Sequence, residues 1–180
     1  YSFATSDYQV ISHPEFFYIS TLMLDSSEST LWIGNAHHLH RMNLNTKEIE
    51  RVRDFYVVKS IAKDDNNLLI GTDNGLYVCD RQGTWHLISH DARNSQSLSS
   101  NVVNMFFKDA NGNIWIGTDN GISLAAHNPS IRSRSLFDIT GSDEGCQISS
   151  IQRTVDSTLW LGGSRGLIKL KTDMQGNNIR

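Results

Sequence analysis

A short motif occurs four times along the sequence, and this repeat constrains the fold more than any other feature. Each copy is a run of apolar or tryptophan residues that ends in a glycine: Gly34, Gly71, Gly117 and Gly162. Successive glycines lie 37, 46 and 45 residues apart, near the period of about 40–50 residues typical of four-stranded propeller blades. The repeat therefore predicts an all-β chain of four β-propeller blades.

The residues around each glycine predict the strands of a blade. Alternating apolar and polar residues predict an inner strand, A, at 19–24, 57–62, 102–107 and 148–153. The glycine motif forms strand B, and strand C follows a tight turn at 72–75, 118–121 and 163–166. An outer strand, D, is predicted at 49–53, 84–90 and 132–139. No segment longer than a turn or two shows helical periodicity.

Glycine is expected at these positions for two different reasons. The glycine within strand B indicates close approach of another backbone or a β-bulge. The glycine after the turn, at Gly75, Gly121 and Gly166, indicates a positive φ. In the first repeat His38 stands at that second position, so we expect His38 to adopt a positive φ at some cost.

The four predicted blades account for nearly the whole chain, so no second domain is predicted. Their cores are expected at 19–53, 57–90, 102–139 and 148–173, and residues 8–13 resemble an outer strand of a preceding or closing blade. Propellers have four to eight blades, so we expect this chain to be part of a larger ring whose remaining blades are its partners. Exposed edge strands also make a homodimer possible.

Composition excludes several classes of partner. The formal net charge of −3 gives no general attraction to nucleic acid. No apolar run is long enough to cross a bilayer, and no signal peptide is visible. Because residue 1 is not methionine, we expect an excised or processed piece, connected to a membrane only through a parent chain. Cys79 and Cys146 are interpreted as small, partly buried apolar residues, which leaves the redox compartment open.

One repeat resembles a known family. Residues 97–121, which read Ser-Leu-Ser-Ser-Asn-Val-Val-Asn-Met-Phe-Phe-Lys-Asp-Ala-Asn-Gly-Asn-Ile-Trp-Ile-Gly-Thr-Asp-Asn-Gly, resemble the two-component regulator propeller repeat. The other three units match more loosely. The resemblance implies the periplasmic sensor region of a hybrid two-component system, with a histidine kinase and a DNA-binding regulator elsewhere on the parent chain. It also implies that the ligand is a breakdown product of a polysaccharide.

Blade geometry indicates where such a ligand would bind. The D-to-A crossovers and the B-to-C turns fall on one face of a blade. That face is expected to carry the ligand-binding residues Phe55, Tyr56, Arg165, Asn74, Asn120, Asn101 and His37. Aromatic, amide and charged groups suit an oligosaccharide or another small polar ligand. Asp73, Asn74, Asp119 and Asn120 are also what a tight turn needs, so turn formation is the favoured explanation for them, and Phe55, Tyr56 and Arg165 are the stronger ligand candidates.

Other side chains are given structural roles. Trp32, Trp115 and Trp160 recur at one repeat position and are predicted to lie in the core between blades, whereas Trp85 is freer to be exposed. Among the neighbouring His37, His38 and His40, His38 and His40 share a strand face and can converge. No cysteine or acidic partner lies close to them in sequence, so no metal is expected there. Residues 109–113 are expected to form an ordinary turn rather than a calcium loop.

Three functions remain open at this point. We find no nucleophile elbow, zinc-binding helix or phosphate loop, and predict a segment without catalysis or cofactor. The favoured function is ligand sensing in a two-component receptor. The alternative is a protein-interaction scaffold without a small ligand, and the third is a polysaccharide lyase or hydrolase propeller.

Overall fold

The computed structural model describes residues 10–64, 67–94, 96–125, 131–142 and 145–172. Strands dominate this part of the chain, and the only described helix is a single short turn. The elements are β1 (Thr21–Asp25), β2 (Thr30–Gly34), β3 (His38–Asn43), β4 (Ile49–Asp54), β5 (Val58–Asp64), β6 (Asn67–Thr72), β7 (Gly75–Cys79), β8 (Trp85–Ile88), β9 (Val103–Lys108), β10 (Ile114–Thr118), β11 (Gly121–Ala125), β12 (Ile131–Arg134), α1 (Leu136–Thr140), β13 (Ile148–Arg153), β14 (Thr158–Gly163) and β15 (Gly166–Lys171).

The strands form four antiparallel sheets, as predicted for propeller blades. Blade 1 is β1–β4, blade 2 is β5–β8, blade 3 is β9–β12 and blade 4 is β13–β15. Within each sheet, strands that follow each other in sequence are hydrogen-bonded neighbours. The inner strands β1, β5, β9 and β13 contact one another from blade to blade, which gives the blades a common axis.

The edges of two blades differ from the sequence prediction. Residues 10–13 form no strand, and residues 8 and 9 of the predicted outer strand 8–13 lie outside the described residues. In blade 3 the predicted outer strand 132–139 ends early, because α1 begins after Arg134. Ser135 caps α1: its Oγ accepts a hydrogen bond from the Asp138 N–H, and the Asp138 carboxylate accepts one from the Ser135 N–H. Residue 173, the predicted end of blade 4, also lies outside the described residues.

The repeated glycine of strand B lies where the next blade crosses. A Cβ atom at Gly34 would lie 2.4 Å from Cγ1 of Val58, and one at Gly71 would lie 2.7 Å from Cγ1 of Val103. Both valines begin the inner strand of the following blade. Any side chain at these glycines would therefore displace the neighbouring blade, which confirms the close approach expected from sequence.

The turns between strands B and C show one correction. Gly75, Gly121 and Gly166 have φ values of 120°, 113° and 105°, as expected. His38, at the equivalent position, is not among the residues with positive φ, so that prediction was wrong. Asn35 explains the difference, because its Oδ1 accepts hydrogen bonds from the N–H groups of His37 and His38 and closes the turn without a left-handed residue.

Three hydrophobic clusters lie at the three junctions between consecutive blades. Trp115 is buried between blades 3 and 4, and Trp32 packs against the cluster between blades 1 and 2, as predicted. Trp85, which its outer-strand position left freer to be exposed, also packs against the cluster between blades 1 and 2 and is half-buried. Cys146 is buried in the last cluster, and Cys79 is half-buried.

The outermost faces of the four-blade array carry apolar side chains. On β1, Leu22 and Leu24 are each 58% exposed. On β14, Trp160 is half-buried, with the Lys169 ammonium 5.3 Å from its ring centre. These faces match those of blades inside a larger propeller, where a further blade covers each one. Among the described residues, no helix is long and apolar enough to cross a membrane.

Candidate functional site

One face of the blades carries both the crossovers and the B-to-C turns, as the sequence predicted. Between blades 1 and 2, the Phe55 N–H in the crossover donates a hydrogen bond of 2.8 Å to the His37 carbonyl in the turn. Between blades 3 and 4, Asn120 in the turn pairs with Cys146 in the crossover. We refer to this side of the molecule as the crossover face.

A row of polar side chains crosses three blades at the axial edge of this face. Lys59 Nζ lies 2.8 Å from Asp73 Oδ1 and 3.1 Å from Asn104 Oδ1. Asn104 Nδ2 donates to Asp119 Oδ1 over 2.8 Å, and Gln147 Nε2 donates to Asn104 Oδ1 over 3.4 Å. We call these five residues the axial ladder. Its inner-strand members lie at the start of β5, at the start of β9 and just before β13, so the ladder depends on the alignment of blades.

The axial ladder is open to solvent. The Lys59 side chain is 25% exposed and that of Asp73 is 34% exposed, while Gln147 is exposed. The ladder offers an ammonium, two carboxylates and two amides within a short distance. Such groups form many directional hydrogen bonds, which is what a small polar ligand requires.

Sequence reasoning missed part of this ladder. Asp73 and Asp119 were assigned to turns, and the structure shows that their carboxylates also accept bonds from inner strands. Lys59 and Asn104 lie within predicted strands, where the alternating apolar residues give the stronger signal. Their own signal is a polar side chain at the same position of two repeats, directly after a valine pair.

Three predicted ligand-binding residues lie together between blades 1 and 2. Phe55 is half-buried, with its ring centre 5.0 Å from that of Tyr77 and 5.7 Å from that of Trp85. Tyr56 is 79% exposed. His37 is also exposed. Packing between blades therefore explains Phe55, whereas Tyr56 and His37 present their rings to solvent.

Two further predicted residues lie between blades 3 and 4. Arg165 is exposed, and its Nε donates a hydrogen bond of 3.1 Å to the Gly145 carbonyl in the crossover. Asn120 is exposed in the turn that pairs with the crossover. Asn120 lies in the same blade as Asn104 and next to Asp119 of the axial ladder, and Arg165 lies in the following blade.

The last two predicted residues hold loops in place. The Asn74 N–H donates to Thr72 Oγ1 over 3.1 Å, which is the bond of a tight turn, and the Asn74 side chain is exposed. Asn101 Oδ1 accepts a hydrogen bond of 2.6 Å from the His90 N–H. Asn101 thereby fixes the crossover between blades 2 and 3.

Asp109 has a structural role on the opposite face. Its carboxylate is 1% exposed and accepts hydrogen bonds from Trp115 Nε1 over 3.1 Å and from Arg153 Nη1 over 2.7 Å. Backbone N–H groups of Asn111 and Asn113 also donate to it. Burial acts to raise the pKa of Asp109, but these hydrogen bonds outweigh burial and lower it. Residues 109–113 are thus a turn that also links two blades.

The histidines near residue 38 pack edge-on against each other, with ring centres 5.7 Å apart for His38 and His40 and 6.0 Å apart for His37 and His38. His38 Nδ1 lies 3.1 Å from Asp54 Oδ1, and His37 is exposed. His40 is completely buried, with its Nε2 2.8 Å from Oε2 of Glu15. The hydrogen bond with His40 is the main cause that lowers the pKa of Glu15. Glu15 precedes blade 1, so a search limited to neighbouring residues does not find this pair.

Comparison with known proteins identifies the repeat. The family model for the two-component regulator propeller matches residues 97–120. The extracellular domain of a putative one-component system from B. thetaiotaomicron is 36% identical, with a TM-score of 0.60 over 93% of this chain and 23% of that one. Residues 97–120 of this chain are a two-component regulator propeller repeat.

Other solved structures agree with this family. An extracellular domain of a putative hybrid two-component system from B. thetaiotaomicron is 35% identical, with a TM-score of 0.60 over 95% of this chain and 24% of that one. A further such domain from the same organism is 20% identical, with a TM-score of 0.68 over 90% of this chain and 22% of that one, and shares the fold. The chain spans about a quarter of the length of these relatives. No curated protein matches its sequence.

Proposed function

We propose that this propeller segment senses a small polyhydroxylated ligand for a two-component receptor, and that the axial ladder contacts that ligand. The observation that carries the proposal is the convergence of Lys59, Asn104 and Gln147 from three consecutive blades. A ligand that bridges these side chains would link three blades at once.

The chemistry of the site favours an oligosaccharide. Hydroxyl groups of a sugar both donate and accept hydrogen bonds, so they pair with carboxylates, amides and an ammonium alike. The exposed ring of Tyr56 offers an aromatic surface against which a sugar ring packs. A glycan fragment is therefore the ligand class that we propose, with Arg165 as a further contact for an acidic sugar.

The relatives suggest the place of this segment in a larger receptor. They are extracellular domains of putative signalling systems, and this chain spans about a quarter of their length. We therefore place the segment outside the cytoplasm, among further blades that cover its apolar outer faces, with any histidine kinase elsewhere on the parent chain. The segment itself binds rather than catalyses. A ligand signals only if it binds one packing arrangement of the receptor more tightly than another.

Binding to the extracellular region of the parent chain tests the proposal. Calorimetric titration with a panel of neutral and uronic-acid-containing oligosaccharides is compared for the wild type and the Asn104→Ala variant. The control is Asn45→Ala, which removes an amide from an outer turn of blade 1 far from the ladder. We expect at least one oligosaccharide to bind, with about tenfold or greater loss in Asn104→Ala, because one or two hydrogen bonds disappear.

Two results would contradict this function. If no oligosaccharide binds while a protein partner binds the same face, the segment is an interaction scaffold. If binding occurs but Asn104→Ala and Asn45→Ala behave alike, the ligand site lies away from the axial ladder. Release of reducing ends from any oligosaccharide in the panel would instead indicate a propeller enzyme.

A further inference from the structure

Three potential metal ligands meet at the side of blade 1. One ligand atom each from His13, Glu15 and His40 lies within 4.8 Å of the other two. His40 belongs to β3 and is completely buried, whereas His13 and Glu15 lie in the segment before β1 and are partly exposed. The cluster thus has one ligand buried within a strand and two ligands that solvent reaches, so an ion can enter from the side of His13 and Glu15.

We propose that His13, Glu15 and His40 bind a divalent transition-metal ion of the zinc class. Two imidazoles and one carboxylate are a ligand set that zinc uses, with water as the fourth ligand. Imidazole nitrogen also favours transition metals over magnesium or calcium, which prefer oxygen. The neighbouring His37 and His38 are not needed for this site.

The ligands need only a small adjustment to hold an ion. Nε2 of His40 and Oε2 of Glu15 are 2.8 Å apart, whereas tetrahedral zinc with bonds of about 2.0–2.1 Å separates its ligand atoms by about 3.3 Å. The proton shared by these two atoms leaves when the ion enters. The hydrogen bond of 3.3 Å from the Glu15 N–H to His13 Nδ1 is also replaced.

Arg51 is the one cation in direct contact with this cluster among the described residues. Its Nη1 lies 3.2 Å from Oε1 of Glu15, so Arg51 pairs with the carboxylate oxygen that does not contact His40. The Arg51 side chain is 48% exposed, and its Nε also lies 3.7 Å from Oδ1 of Asp54. It can turn toward Asp54 and solvent when the ion enters, which limits the electrostatic cost.

The position of the site indicates what the ion would do. His40 occupies the strand C position that Tyr77 has in blade 2, opposite the isoleucine of strand B. In blade 2 the crossover residue Phe55 packs edge-on against Tyr77. The segment before blade 1 packs Phe16 edge-on against His40 in the same way, with ring centres 5.4 Å apart. A metal bound between Glu15 and His40 would fasten that segment further, by coordination in addition to aromatic packing.

Zinc titration of the chain tests the site. Metal-free protein competes with a chromophoric chelator for Zn²⁺, in the wild type and in His13→Gln, Glu15→Gln and His40→Gln. The control is His86→Gln, which removes an exposed histidine that pairs with Asp80 in blade 2. We expect one tight Zn²⁺ per chain, with about 100-fold weaker affinity in each ligand variant and no change in the control, because lost second-shell contacts already cost about 10–100-fold.

His40→Gln changes a buried side chain and can fail to fold, so the partly exposed His13 gives the decisive variant. Zn²⁺ should raise the melting temperature of the wild type and of His86→Gln but not of His13→Gln. Co²⁺ should give the visible bands of a tetrahedral site in the same two proteins. Equal zinc affinity in His13→Gln and in the wild type, or no binding by the wild type, would overturn the proposal.

Discussion

The junction between blades 3 and 4 and the junction between blades 1 and 2 use the same repeat positions with different chemistry. In each, an aspartate at the end of one inner strand pairs with a base on the next inner strand. Asp109 and Arg153 are 1% and 7% exposed. Asp25 is 5% exposed, but its partner Lys63 is 30% exposed and also lies 2.9 Å from Glu28.

This difference shows how a repeat distributes stability. The repeat determines where the charged pair lies. Whether the basic residue is lysine or arginine determines how deeply its charged group is buried. The planar guanidinium of Arg153 allows burial beside Trp115 and the carboxylate. The flexible Lys63 keeps its ammonium near solvent and shares it between two acids. We therefore expect the junction between blades 3 and 4 to be the stronger one.

Asp109→Ala should give the largest loss of stability. It leaves the buried guanidinium of Arg153 without its carboxylate and removes the acceptor of the Trp115 indole N–H, so we expect a cost of about 3–5 kcal/mol. Urea unfolding measures it. Asp25→Ala, in which Lys63 keeps Glu28, should cost about 1–2 kcal/mol. Equal losses in the two variants would contradict the expectation that the junction between blades 3 and 4 is the stronger one.

Gly117→Ala should come next. Its new Cβ would lie 2.9 Å from Cγ of Met105 and 3.0 Å from Cγ2 of Ile148, which begins the inner strand of blade 4. Overpacking of this kind costs about 1–3 kcal/mol. The control is Gly162→Ala, where a Cβ would clash with the hydroxyl of the exposed Ser150 in the same blade, and that hydroxyl can rotate away. Its cost, measured in the same urea experiment, should be smaller here and should increase in a longer chain that contains a following blade.

Acid should weaken both junctions. The hydrogen bond from Lys63 is the main cause that lowers the pKa of Asp25, and the hydrogen bonds to Asp109 lower its pKa against the effect of burial. A lowered folded-state pKa adds stability that is complete above the ordinary aspartate value of about 3.9 and is lost as pH falls through the folded-state pKa.

The urea midpoint should therefore decrease below about pH 4. The double variant Asp25→Asn, Asp109→Asn should show a flatter pH profile, because it lacks both titrating groups. An unchanged pH dependence in the double variant would place the acid-sensitive groups elsewhere.

Arg53→Met should have the smallest effect. The Arg53 guanidinium lies 5.0 Å from the ring centre of Trp85 and 5.4 Å from that of Tyr77, and methionine keeps only the apolar stem. The expected cost is about 0.5–1 kcal/mol, measured by the shift of the thermal midpoint. Arg41→Met, which removes an exposed pair with Glu50, is the control and should cost about 0–0.5 kcal/mol. A larger loss in the control would argue against the aromatic contribution.

The sequence was sufficient to predict the blades because their pattern is local. Alternation within strands and the glycine of each turn depend on neighbours a few residues away. The crowded glycine of strand B was also predictable, because no other residue tolerates such an approach. The two-component regulator resemblance of residues 97–121 agrees with the matched family model.

The polar sites were harder to predict because they depend on contacts between blades. Lys59 meets Asn104 across 45 residues, and Glu15 meets His40 across 25. The positive φ expected at His38 failed for a local reason instead, since the side chain of Asn35, three residues earlier, supplied another way to close the turn. The early end of the outer strand in blade 3 reflects a capping box at Ser135 that overrode the strand pattern.

The contact of each inner strand with the next also has a kinetic consequence. The main contacts between blades join consecutive units, such as β1 with β5, β5 with β9 and β9 with β13. Within each blade the strands pair with neighbours close in sequence, which form contacts quickly, and repeat arrays grow outward from whichever unit forms first. During synthesis, which proceeds from the N-terminus, each blade of this array that emerges from the ribosome meets the preceding blade already made.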